Sequence, residues 1–175
     1  MLKIRPAESQ DVDRIFELII GLAAYEHLSD KVSGSSELLR SHLFGDKPAA
    51  EVIVAQVDDN ICGFALFFPT YSTFLTQPGL YLEDVFVAPE YRRQGVGKAL
   101  MIYLIKISHE RNCGRLEWSV LDWNQDAIEF YQHLGATVLP DWKICRMTAD
   151  TLAEMAGQTV NLLCLIPRSL CNNQN

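Results

Sequence analysis

An apolar run, Leu80–Val87, is followed closely by a helical stripe at Val96, Ala99, Leu100, Tyr103, Leu104 and Ile107, and between them stands Arg92-Arg93-Gln94-Gly95-Val96-Gly97. A strand that stops at Pro89 and enters a helix through two glycines leaves few arrangements open. Glycine lets backbone approach a ligand closely. The first N–H groups of the helix lack partners, and its dipole favours an anion at that end. Arg92, Arg93 and Lys98 add positive charge to an otherwise acidic chain. On these residues alone the segment reads either as a pyrophosphate seat or as a helix start with small residues for packing. A nucleoside-triphosphate P-loop is excluded, because Arg92 and Ala99 stand where a glycine and a Ser or Thr are required. A dinucleotide fingerprint fails at Leu100, where its last small residue belongs.

The flanking pattern predicts an α/β chain. Leu2 and Ile4 alternate as a short strand ended by Pro6, and Val12, Ile15, Phe16, Ile19, Ile20 and Ala23 form one face of a helix starting near Ser9, with Tyr25-Glu26 at its C-terminal end. Gly34-Ser35-Ser36 opens a shorter helix with Leu39 and Leu43 on one face, stopped near Gly45. Val52–Val57 and Ile61–Phe68 form a hairpin around Asp58-Asp59-Asn60. The helix after the glycine loop ends at Gly114, and Leu116–Leu121 is the next strand. Asn124 caps a short helix that turns Ala127, Ile128 and Tyr131 inward and closes at Gly135. Lys143–Thr148 reads as a last strand and Asp150–Met155 as a final helical turn or two. The order β-α-α-β-β-β-α-β-α-β implies a mixed sheet in one domain over residues 1–156. The tail, 157–175, contains a mostly apolar stretch at Val160–Ile166 and admits an extra strand, a partner-contacting arm or a mobile end.

Composition narrows the function. The chain has 175 residues, 49% hydrophobic and 21% charged, as expected of a folded globular protein. Its net charge of −7 argues against a dedicated nucleic-acid binder and suits a small cationic substrate. The five cysteines form no C-x-x-C pair and do not cluster with the histidines, so neither a disulfide framework nor a metal site is expected, and reduced thiols in a cytoplasmic protein are. The charged N-terminus has no signal-peptide pattern. Residues 60–82 carry no charged side chain, but Pro69, Gln77 and Pro78 break the run into two strands and a loop, so no membrane span is expected. Glu83-Asp84 lie consecutively in an apolar strand, and alternation sends them to opposite faces, so at most one faces a given site directly. Burying a carboxylate costs several kcal/mol unless it is paired.

At this point a family resemblance is evident. R-x-x-G-x-G after an apolar strand resembles the acetyl-CoA loop of the GNAT N-acetyltransferase superfamily. LYLEDVFV (80–87), APEYRRQGVG (88–97), RLEWSVLDWN (115–124) and AIEFYQHLGA (127–136) each resemble its diamine acetyltransferase branch, which includes the spermidine/spermine and thialysine enzymes. Thr70-Tyr71-Ser72 and Ala24-Tyr25-Glu26 fit the same branch, and the likeness covers roughly residues 3–150. Arg93 stands where many relatives have glycine. The stretch from Gly135 to Trp142 is shorter than in the polyamine enzymes, and Leu121-Asp122-Trp123-Asn124 is closer to the thialysine branch.

The resemblance implies the GNAT fold, with a mixed, mostly antiparallel central sheet flanked by helices, and acetyl transfer from acetyl-CoA to an amine by direct attack in a ternary complex, without a metal. It implies Tyr131 as general acid. Glu83 would be the base, through a water, or would only orient the substrate. The backbone of Val85, Phe86 and Val87 would pair with the pantetheine arm. Arg92, Arg93, Gln94, Gly95, Val96, Gly97, Lys98, Asn124, Ala127 and Tyr131 would contact the cosubstrate. Tyr25, Glu26, Glu83, Glu117, Trp118 and Asp141 would line the amine site, where paired carboxylates and aromatic faces suit a dication. Read singly, Tyr131 is equally a core tyrosine, Asn124 a plain cap, and each acid a solvated surface charge. Thialysine-, lysine- or ornithine-like diamino acids come slightly ahead of polyamines as substrates. A protein N-terminus or lysine is the rival acceptor, favoured by an open groove. A catalytically idle acyl-CoA-binding module is the rival class, against which Tyr131, Glu83 and Gly95-x-Gly97 all speak. By analogy the protein is expected to be a homodimer with no nucleic-acid or membrane partner.

Overall fold

The structure, a computed structural model, describes residues 1–157. Its elements are β1 (Leu2–Pro6), α1 (Val12–Tyr25), α2 (Ser36–Phe44), β2 (Glu51–Val57), β3 (Asn60–Ser72), β4 (Gln77–Val87), α3 (Val96–Glu110), β5 (Leu116–Trp118), α4 (Gln125–His133) and α5 (Ala149–Ala156). Chain contacts divide it into two compact units, Met1–Trp123 and the segment from Asn124 onward.

In the first unit the strands form one sheet in chain order, β1-β2-β3-β4-β5. The first three pairings are antiparallel and the β4–β5 pairing is parallel, giving the mixed, mostly antiparallel sheet expected. Register sorts the side chains into two faces. Val52, Val54, Phe64 and Phe86 pack with Ile15, Leu18 and Leu22 of α1 and Leu43 of α2. Ile53, Ala55, Ala65, Phe67 and Leu82 lie on the opposite face, with the buried residues Leu100, Met101 and Leu104 of α3. The charge-free stretch 60–82 is indeed two strands, and both arms run longer than expected, to Ser72 and from Gln77. The buried Ser72 hydroxyl accepts from the Leu75 N–H and so closes the tip from inside.

Local chemistry sets the ends of the helices. Ahead of α1, the buried Asp11 carboxylate takes two bonds from Arg5 (2.6 and 3.0 Å) and one from the Glu8 N–H (2.8 Å), fixing the 3-10 turn Ser9–Asp11. The Ser35 hydroxyl accepts from the Leu38 N–H and starts α2. Helix α1 stops with His27 at φ 60°, and the Leu28 N–H bonds Ala23 O at 2.8 Å. Helix α3 stops the same way, with Asn112 at φ 53° and the Cys113 N–H on Ser108 O. Both are the left-handed stop that satisfies orphan carbonyls.

The second unit carries α4 and α5. The Asn124 side chain accepts from the Ala127 N–H, as its expected capping role requires. Gly135 (φ 94°) ends α4, with the Ala136 N–H on Tyr131 O. The Thr148 side chain caps α5, which is slightly longer than expected.

Two expected strands differ. Leu116–Leu121 shortens to three residues, because past Trp118 no strand among the described residues pairs with it. Lys143–Thr148 forms no strand, and Ile144 and Met147 are 70% and 62% exposed. Its alternating residues meet no strand edge among the described residues. The expectations for Val160–Ile166 lie outside the described residues.

Candidate active site

The site is built around the C-terminal half of β4. β5 pairs with β4 only from Leu80↔Leu116 to Leu82↔Trp118, while β4 runs on to Val87. From Glu83 to Val87 no strand among the described residues pairs with its β5-side edge, which is thus released from the sheet. On the other edge, β3 pairs Phe67 with Leu82 and Leu66 with Asp84, which leaves Glu83 as the extra residue of a β-bulge. A bulge twists a strand and ends pairing locally, and here it falls where β5 stops.

The bulge decides which face Asp84 takes. Leu82 lies on the α3 face, so plain alternation would send Asp84 there too. The extra residue instead puts Asp84 opposite Leu66, on the α1 face with Tyr81 and Phe86. Glu83 is exposed at the bulge and Asp84 is half-buried. Burial pushes the Asp84 carboxyl up to about 6, and the charges of Glu83 and Glu26 push it the same way. Burial also raises the Glu26 carboxyl, one residue past the end of α1. Asp84 therefore joins Glu83 and Glu26 as a candidate site residue, although it was not among those expected to line the amine site. Its signal was the unexplained pair of acids, and only the bulge gives it its face.

The other expected amine-site residues fall as follows. Tyr25 ends α1, with its ring 6.0 Å from that of Trp123. Glu117 and Trp118 are half-buried on β5, opposite Tyr81 and Leu82. The Glu117 carboxylate is 2.7 Å from Arg115 Nε, so its charge is partly answered. Asp141 is exposed, in a stretch of the second unit without regular structure.

The glycine loop follows β4 through a 3-10 turn at Pro89–Tyr91. Gly95 is the N-cap of α3 at φ 82°, and Arg93 also takes the left-handed conformation at φ 60°. A Cβ at Gly95 would meet nothing within 4 Å, so glycine is required there by the backbone angle and not by crowding. The N–H groups of Val96, Gly97 and Lys98 form the first turn of a 15-residue helix, where such groups have no partner in the helix. Arg93, Gln94 and Lys98 are exposed around them. The arrangement suits a ligand that is extended at one end and anionic at the other. The extended part would lie along the released edge at Val85, Phe86 and Val87, and the anion at the helix start.

In the second unit, Tyr131 is half-buried on α4, its ring 5.3 Å from that of Phe130, and Ala127 and Ile128 are likewise half-buried. Among the described residues no group of His, Cys, Asp and Glu is arranged to hold a metal ion, and no helix is long and apolar enough to cross a membrane.

Known proteins resemble this chain in sequence and fold. The sequence pattern of the acetyltransferase (GNAT) family matches residues 21–136. A thialysine N-epsilon-acetyltransferase of Bos taurus is 36% identical, over 89% of this chain and 97% of that protein. An L-ornithine N5-acetyltransferase of Arabidopsis thaliana is 31% identical, over 86% of each. Among solved structures, an integron cassette protein from the mobile metagenome of V. cholerae superposes with a TM-score of 0.75 at 26% identity, covering 90% of this chain and 98% of its own. The chain belongs to the GNAT acetyltransferase family. It is an acetyltransferase, of a family whose cosubstrate is acetyl-CoA.

Proposed function

We propose that this protein moves the acetyl group of acetyl-CoA onto a primary amine of a small diamine or diamino acid, with thialysine-, lysine- and ornithine-like acceptors ahead of polyamines. The observation that carries the reading is the bulge in β4, because it sets a released strand edge beside the carboxylates of Glu83, Asp84 and Glu26, which suit a cationic amine. The relatives named for thialysine and ornithine acetylation support the acceptor class.

In this reading the pantetheine arm runs along the backbone of Val85, Phe86 and Val87. The loop Arg92, Arg93, Gln94, Gly95, Val96, Gly97 and Lys98 seats the pyrophosphate, and Asn124 and Ala127 contact the cosubstrate. The thioester supplies an electrophilic carbonyl carbon. An amine with a pKa of about 10.4 is only about 0.1% neutral at pH 7.4, so the site must accept its proton. Glu83 takes that proton, directly or through a water, or orients the water that does. The amine nitrogen then bonds to the carbonyl carbon, the carbon–sulfur bond breaks, Tyr131 gives its phenolic proton to the departing thiolate, and the new amide nitrogen sheds its second proton, which restores the phenol directly or through water. Tyr25, Glu26, Glu83, Glu117, Trp118 and Asp141 line the amine site, with Asp84 added by the geometry of β4. A cytoplasmic homodimer completes the reading, and light scattering tests the dimer.

The test is mass spectrometry of products after incubation with acetyl-CoA and a panel of spermidine, spermine, putrescine, thialysine, lysine, ornithine and a lysine peptide. An acetylated diamine or diamino acid is expected. Acetylation of the peptide alone would refute the acceptor class. Tyr131→Phe is expected to lower turnover strongly while acetyl-CoA still binds, and unchanged turnover would remove Tyr131 as the acid.

A further inference from the structure

Arg92 opens the glycine loop, and its charge alone suggests a ligand for the pyrophosphate. The contacts of its side chain point elsewhere. Nε donates to Val87 O, the last carbonyl of β4, at 2.9 Å. The guanidinium carbon lies 4.6 Å from the centroid of the Tyr25 ring and 5.1 Å from that of Phe86. The cation thus lies over two aromatic rings while Nε holds Val87 O, and a planar guanidinium can stack on a ring face as a compact ammonium cannot.

Both rings also have neighbours other than Arg92. Tyr25 meets Trp123, whose ring is also 6.3 Å from that of His27. Phe86 rests on α1 at Gly21, where a Cβ would stand 3.2 Å from the Phe86 ring. Beside them runs a groove of about 430 Å³ bordered by Arg14, Glu17, Tyr25, Phe86, Glu90 and Arg92, so the Tyr25 ring is not enclosed by neighbours on all sides. Arg92 braces it there. Tyr25 is the last residue of α1 and Glu26 is the next, so the helix end that Arg92 meets through the Tyr25 ring is the one that carries Glu26.

We propose that Arg92 is a positioning residue for the acceptor amine: its side chain ties the glycine loop and the end of β4 to Tyr25-Glu26, while its backbone belongs to the cosubstrate seat. The inference rests on the amine site proposed above. It assigns Arg92 an effect on amine recognition that a pyrophosphate ligand would not have. It also makes arginine, and not positive charge in general, the requirement at this position.

The test compares Arg92→Lys, Tyr25→Leu and the double variant. Acetyl-CoA affinity is measured directly by calorimetry, and the KM of the amine is taken from product formation. Arg92→Lys keeps the charge and loses both the stack and the Nε bond. It is expected to raise the amine KM by about tenfold while changing acetyl-CoA affinity by less than about threefold. Tyr25→Leu should do the same, and the double variant should be little worse than either, because the two act as a unit. A second readout needs no amine. In protein labelled with 5-fluorotryptophan, with Trp123 assigned through Trp123→Phe, Arg92→Lys should shift the Trp123 resonance and Lys98→Ala should not. Acetyl-CoA affinity falling more than about tenfold in Arg92→Lys with the amine KM unchanged would overturn the proposal, as would full rescue by lysine or an unmoved Trp123 resonance. If the wild-type protein acetylates no amine, the function proposed above fails, and the fluorine spectrum still decides the role of Arg92.

Discussion

Replacing Asp84 with asparagine keeps the shape of the side chain and removes its charge, so it isolates the cost of holding that carboxylate beside Glu83 and Glu26. In the fold the carboxyl titrates at about 6, against 3.8 for the unperturbed group. A raised folded value means that the folded state holds the proton more tightly than the unfolded chain does. The associated stability is fully present below the unfolded value and is lost as pH rises through about 6. The shift of about two units corresponds to about 3 kcal/mol of destabilisation at about pH 8 and about 1 kcal/mol at about pH 4.5. Asp84→Asn is therefore expected to gain roughly 2 kcal/mol more in stability at the higher pH than at the lower. Urea unfolding of both proteins at the two pH values measures this, and groups that titrate alike in both cancel. An equal difference at both pH values would refute the argument that burial and two neighbouring acids raise the group. The same chemistry bears on binding. A cationic amine drawn against Asp84 should lower its pKa, so amine binding near pH 6 should release protons, detectable by calorimetry in buffers of different ionisation enthalpy.

Further expectations come from other parts of the chain. Asp11 is 6% exposed and its carboxyl is held below the usual range, first by the Arg5 hydrogen bonds. Asp11→Ala should cost about 3 kcal/mol above pH 5, a loss that narrows in acid as the native group itself protonates, and denaturant titration across pH checks both. Gly95→Ala meets no steric obstacle, so any loss of acetyl-CoA affinity would come through the backbone angle, at about 1–2 kcal/mol; calorimetry reads it, and unchanged affinity would mean that the loop does not need φ 82° to bind. Gly135→Ala should cost about 1 kcal/mol in thermal stability, and Gly135→Asn less, because asparagine tolerates the left-handed region better.

Much of the framework was legible where single residues have strong local preferences. Asn124 read as a cap and acts as one, and Gly34-Ser35-Ser36 read as a helix start, where Ser35 supplies the cap. Patterns that depend on a partner were less legible. Ser119–Leu121 and Lys143–Thr148 have strand-like composition, but a strand exists only where another edge meets it, and alternation carries no information about edges. Which face Asp84 takes was not legible for a related reason. A period of two assigns faces only while pairing stays regular, and no residue around Glu83 marks the bulge; the pair of acids signalled an anomaly without its geometry. The stripe on α3 was right in phase, with Met101 and Ser108 joining its buried residues. The individual roles of Tyr131 and Asp141 came only from likeness to a family, since spacing does not separate a catalytic phenol from a packing one.

The released edge of β4 has a further consequence, for solubility. An unpaired strand edge invites the edge of another chain, and proteins commonly guard such edges with bulges and charges. β4 carries both at the same point, with Glu83 as the bulged residue and Asp84 beside it. The carboxylates proposed to draw in the amine would then also repel a second strand. Neutralising them removes a destabilising charge from the monomer and at the same time takes away its protection against self-association. A variant selected only for thermal stability at this strand would drift towards aggregation, and the bulge would be the first feature it could least afford to lose.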